Sequence, residues 1–130
     1  MEPSQSAIIG SKIAQLAFAN AESASQGKCA KYVRAAIQEA LGITIQPTGI
    51  ESAKDYGPWL VAHGYKVSTS KNTDAAVGSV VIFGGNDAHK HGHIQIKTGA
   101  GQWTSDFRQN NFAPWKDQSN VPGHVLYELM

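Results

Sequence analysis

The chain contains one cysteine, Cys29, placed directly at the start of a helical pattern. In "SQGKCAKYVRAAIQEALG", residues Ala30, Val33, Ala36, Ile37, Ala40 and Leu41 follow it at helical spacing, and Gly42 supplies a stop. Ser25 or Gln26 is positioned to cap that helix, and Gly27 lets the backbone approach closely. A thiol in a first helical turn feels the positive end of the helix dipole, which favours the nucleophilic thiolate. Lys28 and Lys31 add positive charge nearby. The dipole argument predicts that a mild alkylating agent labels Cys29 faster than a small free thiol near neutral pH. A lone cysteine is also a common inert core side chain, so the nucleophile reading needs partners.

A catalytic thiolate requires an imidazole within hydrogen-bond reach, normally supplied from elsewhere in the chain. His93 follows Gly92 and opens "HIQIKTG", where Ile94 and Ile96 share one face and His93, Gln95 and Lys97 the other. The base in turn needs a group that fixes its tautomer. Asp106 stands on the next strand candidate, "QWTSDF", and a tight hairpin through "TGAGQ" brings the two strands side by side. Gln95, Ser105 and Asp87 are weaker substitutes for that place.

The histidines also permit a rival reading. "HKHGH" puts His89, His91 and His93 at i, i+2 and i+4, one face of a strand, and imidazole suits zinc. Asp87 or Asp106 could add a carboxylate. His63 and His124 read as ordinary histidines. A non-catalytic binding module is a second rival, its groove lined by Trp59, Trp103, Trp115 and Phe112. A third is acyl transfer or deamidation by the same Cys–His pair. Thiol hydrolysis itself needs no metal and no cofactor.

These residues need a scaffold, and the chain has the length for one. Its 130 residues fit a single domain, 1–130, able to bury a real core. Hydrophobic residues make up 42% and charged residues 16%, and the net charge is +1 with the basic residues dispersed, which argues against a nucleic-acid binder. One cysteine forms no internal disulfide. The N-terminus "MEPSQSAIIGSKIAQLAFANAES" has an acid at position 2, no basic region and spaced apolar residues, so neither a Sec-type signal nor membrane insertion is expected. The expectation is synthesis in a cytoplasm, with any export by another route.

Helical periodicity over 5–20 predicts a first helix, through Ile9, Ile13, Leu16 and Ala17. "ITIQPTG" reads as a short extended piece or loop. "SAKDYGPWLVAHGYKV" reads as a third helix, broken or started near Gly57-Pro58 and closed by Gly64. The period then changes. "GSVVIFGG" is a continuous β-branched run typical of a buried strand, and "HIQIKTG", "QWTSDF" and "HVLYEL" are further strands, the last two separated by turn-rich "RQNNFAPWKDQSNVPG". Helices first and strands after imply α+β, with N-terminal helices packed on a central antiparallel sheet.

Gly-x-Cys at a helix start, then "AKDYGPWL", "GSVVIF" and "GHIQI", resembles the papain-like bacterial cell-wall cysteine peptidases of the NlpC/P60 and CHAP group. "WTSDFRQNNFAPW" is similar to stretches in the small amidase effectors that type VI secretion systems deliver between bacteria. The resemblance covers roughly residues 25–110. It implies a papain-like NlpC/P60-type fold, with Cys29 as nucleophile, His93 as general base and Asp106 as the residue orienting His93. Lys28, Tyr56, Gln95 and Trp103 are the candidate substrate contacts. No glutamine stands six residues before Cys29 to form a papain-type oxyanion hole; the Cys29 N–H and a neighbour are the alternative. The implied substrate is the peptidoglycan stem peptide, cut at the γ-D-glutamyl–diaminopimelate or the diaminopimelate–D-alanine bond. The implied partners are peptidoglycan, a cognate immunity protein that plugs the cleft, and the secretion apparatus, with action as an antibacterial toxin in the periplasm of a target cell.

Overall fold

The computed structural model describes residues 5–24, 27–85, 90–114 and 123–130. Ala-rich and Leu-containing periodic sequence forms α1 (Gln5–Asn20) and α2 (Cys29–Leu41), and a shorter α3 spans Gly57–Ala62. The β-branched and alternating segments form β1 (Tyr65–Ser68), β2 (Val80–Phe83), β3 (His93–Gly99), β4 (Gln102–Thr104) and β5 (His124–Leu129). The strands join in the order β1-β5-β2-β3-β4, each neighbouring pair antiparallel. The fold is α+β, with helices packed on an antiparallel sheet.

Alternation along the strands divides the core in two. Val80, Ile82, Ile94 and Ile96 point to the helices and meet Ile13 and Ala17 of α1, Val33, Ala36 and Ile37 of α2, and Leu60 of α3. Val81, Phe83, Trp103 and Leu126 point the other way and pack with Phe112 and Ala113. Both faces of β2 are therefore covered, which explains the unbroken apolar run in its sequence. His93, Gln95 and Lys97 are buried on the second face beside that smaller cluster. The buried Lys97 ammonium is satisfied by two backbone carbonyls, donating to Asn72 O at 3.0 Å and Thr73 O at 3.1 Å.

The helix expected to break or start near Gly57-Pro58 and to close by Gly64 does both, and the rest of "SAKDYGPWLVAHGYKV" forms other elements on either side of it. Ala53–Asp55 is a 3₁₀ turn, α3 starts at Gly57 with Pro58 in its first turn, and the chain past Gly64 is strand β1. Pro58 is tolerated only at a helix start, and Gly64, with φ +100, turns the chain into the sheet edge. The strand expected over "QWTSDF" stops at Thr104, and Asp106 lies beyond it. The hairpin through Ala100-Gly101 forms as expected. The cap candidates Ser25 and Gln26 lie outside the described residues.

One close approach joins helix to sheet. Gly78 has φ +95, and a Cβ there would overlap the Gly10 backbone of α1. Gly101 also has positive φ, +65, but a Cβ there meets open space. Gly78→Ala should therefore cost both backbone strain and overpacking, about 2–4 kcal/mol, while Gly101→Ala costs only about 1 kcal/mol. Urea unfolding of the two variants checks this, and equal losses would refute the close-approach account.

Candidate active site

The cleft begins with α2. Its apolar stripe packs on Ile94 and Ile96 of β3, so the helix start lies over the start of that strand. A cleft of about 490 Å³ opens there, lined by Gly27, Lys28, Cys29, Ala30, Lys31, Glu51, Ala53, His91, Gly92, His93 and Asp106. The three residues whose spacing suggested chemistry, Cys29, His93 and Asp106, thus share one pocket.

His93 is buried at the head of β3, and its Nε2 lies 2.8 Å from Gln109 Oε1. Gln109 was not a sequence candidate. It stands in the turn-rich segment after β4, where a neutral amide carries no signal of charge or spacing. Asp106, the expected orienter, is buried in the same cleft, and its Oδ2 accepts the backbone N–H of Lys28 at 3.0 Å. Its Oδ1 accepts the Ser105 hydroxyl at 3.2 Å. A carboxylate from beyond the fourth strand therefore satisfies an otherwise orphaned amide at the start of α2. The amide found on His93 Nε2 is that of Gln109.

The electrostatics of the thiol reverse one expectation. Burial pushes the Cys29 thiol above its ordinary value, and the nearby Asp106 charge pushes the same way. Backbone N–H groups of Ile94, Ala30 and Cys29 pull it down, but burial outweighs them. The helix start does present N–H groups to the sulfur. The anion that caps this helix offsets the dipole that was expected to hold a thiolate. Burial therefore favours the neutral thiol at Cys29 over the thiolate.

The other candidates fall differently. Lys28 lines the cleft. Trp103 does not; it packs in the second core cluster against Phe112, with ring centroids 5.2 Å apart. Tyr56 is buried in the main core, and its hydroxyl accepts a hydrogen bond from Arg34 at 2.8 Å. Gln95 is buried beneath the site, its Oε1 accepting from Gln109 Nε2 at 2.7 Å. These three are large or amphipathic side chains drawn into the core, away from the cleft wall. Trp59 is likewise buried, and Trp115 and Asp87 lie outside the described residues.

The zinc reading required a strand through 89–93. Gly92 instead has φ +69 and packs so tightly on the Phe83 carbonyl that a Cβ would overlap it, so β3 starts only at His93. His91 sits in the preceding turn with Nδ1 2.5 Å from Ser52 Oγ, and its carbonyl accepts the Lys54 N–H at 3.0 Å. The i, i+2 alternation is lost at that turn, and His91 and His93 engage different partners. His89 lies outside the described residues. Among the described residues no three His, Cys, Asp or Glu side chains are grouped to hold a metal. Among them, too, no helix is long and apolar enough to cross a membrane.

An α+β fold that sets a helix-start cysteine and a strand-start histidine on one cleft defines a class of thiol–imidazole sites. Comparison with solved structures narrows it. The chain is 36% identical to a chain of the type VI native effector–immunity complex Tae3–Tai3 from Ralstonia pickettii, with 93% of this chain and 98% of that chain covered and a TM-score of 0.77. The selenomethionine form of that complex matches at 36% identity and TM-score 0.76, over 89% of this chain and 98% of that chain. This chain belongs to the Tae3 family of type VI effectors. Ly7917 shares the fold at 18% identity and TM-score 0.54, over 96% of this chain and 63% of its own. No protein-family model matches the chain, and no curated protein does.

The thiol assignment has a direct readout. The midpoint of the iodoacetamide rate of Cys29 against pH should lie above that of a small free thiol, with labelling slow at pH 7 and rising with pH. Asp106→Asn removes a neighbouring negative charge while keeping an oxygen for the Lys28 N–H, and should lower that midpoint. A wild-type midpoint below the free thiol's would reverse the assignment.

Proposed function

We propose that this protein is a type VI effector that hydrolyses amide bonds of peptidoglycan by cysteine chemistry. The observation that carries the reading is the shared cleft: Cys29 and His93 line it together, in a chain of the Tae3 family. The family supports a peptidoglycan-hydrolysing effector. The fold is read as papain-like, of the NlpC/P60 type, because the order is nucleophile on a helix start, base on a strand start and polar partner after the next strand.

Cys29 Sγ attacks the amide carbonyl carbon as His93 accepts the thiol proton. The oxyanion forms beside the helix start, where the Cys29 and Ala30 N–H groups already face the sulfur. His93 then gives its proton to the leaving amine, and the C–N bond breaks to leave a thioester. Water attacks the thioester, its proton going to His93 and then back to sulfur, and the free carboxylic acid departs. Gln109 takes the Nε2 side of the imidazole throughout. Asp106 is assigned to the helix start, where its charge restrains the resting thiol and, once His93 is protonated, favours the imidazolium. Lys28 is kept as a cleft-wall substrate contact.

The scissile bond is the γ-D-glutamyl–diaminopimelate or the diaminopimelate–D-alanine amide of the stem peptide. Tae3 was crystallised with its immunity protein Tai3, and the partner of this chain is a cognate immunity protein of that kind. Export by a type VI apparatus and action in a target cell's periplasm complete the reading.

Incubation with purified sacculi followed by mass analysis of the released fragments tests activity and bond together. Wild type should release fragments ending at one of those two amides, and Cys29→Ala should lower the rate at least about a thousandfold while the fold persists. Activity that survives Cys29→Ala and disappears with a chelator would overturn the thiol mechanism.

A further inference from the structure

A ring nitrogen that faces a carbonyl oxygen must carry the hydrogen; one that faces an amide NH₂ must carry the lone pair. Which end of the Gln109 amide meets His93 therefore decides the tautomer of the neutral imidazole. The far end of that amide settles the matter. Gln109 Nε2 lies 3.1 Å from the Asn111 carbonyl oxygen and 3.3 Å from that of Phe112, and backbone carbonyls only accept. Its shortest contact is to Gln95 Oε1, at 2.7 Å. The NH₂ group is thus surrounded by acceptors, and Oε1 is left on His93 Nε2 at 2.8 Å.

Gln95 is fully buried on β3, on the same face as His93. Its Oε1 serves Gln109, and its Nε2 is a buried donor without a partner among the described residues. Reversing the Gln95 amide would set NH₂ against NH₂. A buried donor left unpaired is destabilising, and an apolar side chain of the same length would avoid it. The site keeps the acceptor at that cost.

We infer that Gln95 is a positioning residue: it holds the Gln109 amide with its oxygen on His93, fixes the neutral imidazole as the Nε2–H tautomer, and leaves Nδ1 as the basic nitrogen. Only the last step, transfer of the Cys29 proton to Nδ1, rests on the hydrolase reading above; the tautomer does not. Gln95 is thus not a wall of the substrate cleft but the third layer behind it, acting through Gln109 and His93.

The test pairs ¹⁵N NMR of the His93 ring in the full chain, at a pH where it is neutral, with sacculus kinetics and thermal melting. Wild type should show a single Nε2–H tautomer. Gln95→Met removes both the acceptor and the orphaned donor at similar volume. It should melt at or above the wild-type temperature, show mixed tautomers, and lose about tenfold in kcat with KM changed less than twofold. Gln95→Glu keeps an oxygen facing Gln109 and should restore the single tautomer and most of the turnover. Retention of one Nε2–H tautomer and wild-type kcat in Gln95→Met overturns the inference. So does a lowered melting temperature with kcat following the folded fraction, which marks a purely structural glutamine. A wild type that shows the Nε2–H tautomer but cleaves no sacculi overturns the hydrolase reading and leaves the tautomer assignment standing.

Discussion

The packing of one amphipathic helix against one strand determines everything at the site. Val33, Ala36 and Ile37 of α2 have to leave water, and the apolar face available is Ile94 and Ile96 of β3. Val33 and Ile37 each gain roughly 1.5–3 kcal/mol on full burial, so the helix has little freedom to slide. Cys29 is the first residue of that helix and His93 the first of that strand. Their meeting in one cleft is thus a by-product of core formation, and the two side chains need no strong attraction of their own to stay together.

The same junction explains the charge arrangement. The start of α2 exposes backbone N–H groups, and Asp106 caps one of them from beyond β4. The cap is good for the helix and unfavourable for a thiolate beside it, and burial adds to the second effect. A buried thiol and an imidazole lining one cleft are the outcome. That arrangement places weight on the imidazole, and two glutamines, one behind the other, support it from the side away from the helices.

Much of this could be read from residue order. The helical stripe after Cys29 and the alternation of "HIQIKTG" marked the two surfaces that pack, and the Ala100-Gly101 turn marked the hairpin. Periodicity is a strong signal where one face is wholly apolar. It failed at β1, because four residues with two exposed positions carry too little pattern to stand apart from the α3 sequence before them. Residue type misled at Trp103 and Tyr56, since large rings suit a cleft wall and a core equally well and core burial won. It was silent at Gln109, whose importance lies only in which amide end faces a histidine. Alternation placed Gln95 on the face of His93, as the structure has it; what local sequence does not display is that Gln109, fourteen residues on, covers Gln95 there.

The position of β5 has a consequence for when the molecule comes into being. His124–Leu129 is the last strand in sequence, yet it lies between β1 and β2 in the sheet. A ribosome that has made residues 5–114 has made every described residue that lines the cleft, while the two halves of the sheet still lack the segment that joins them. The native assembly must wait for residues 124–129 to emerge and insert, a non-local step of the kind that slows folding. A nascent chain therefore carries the thiol and the imidazole before it has the framework that closes around them.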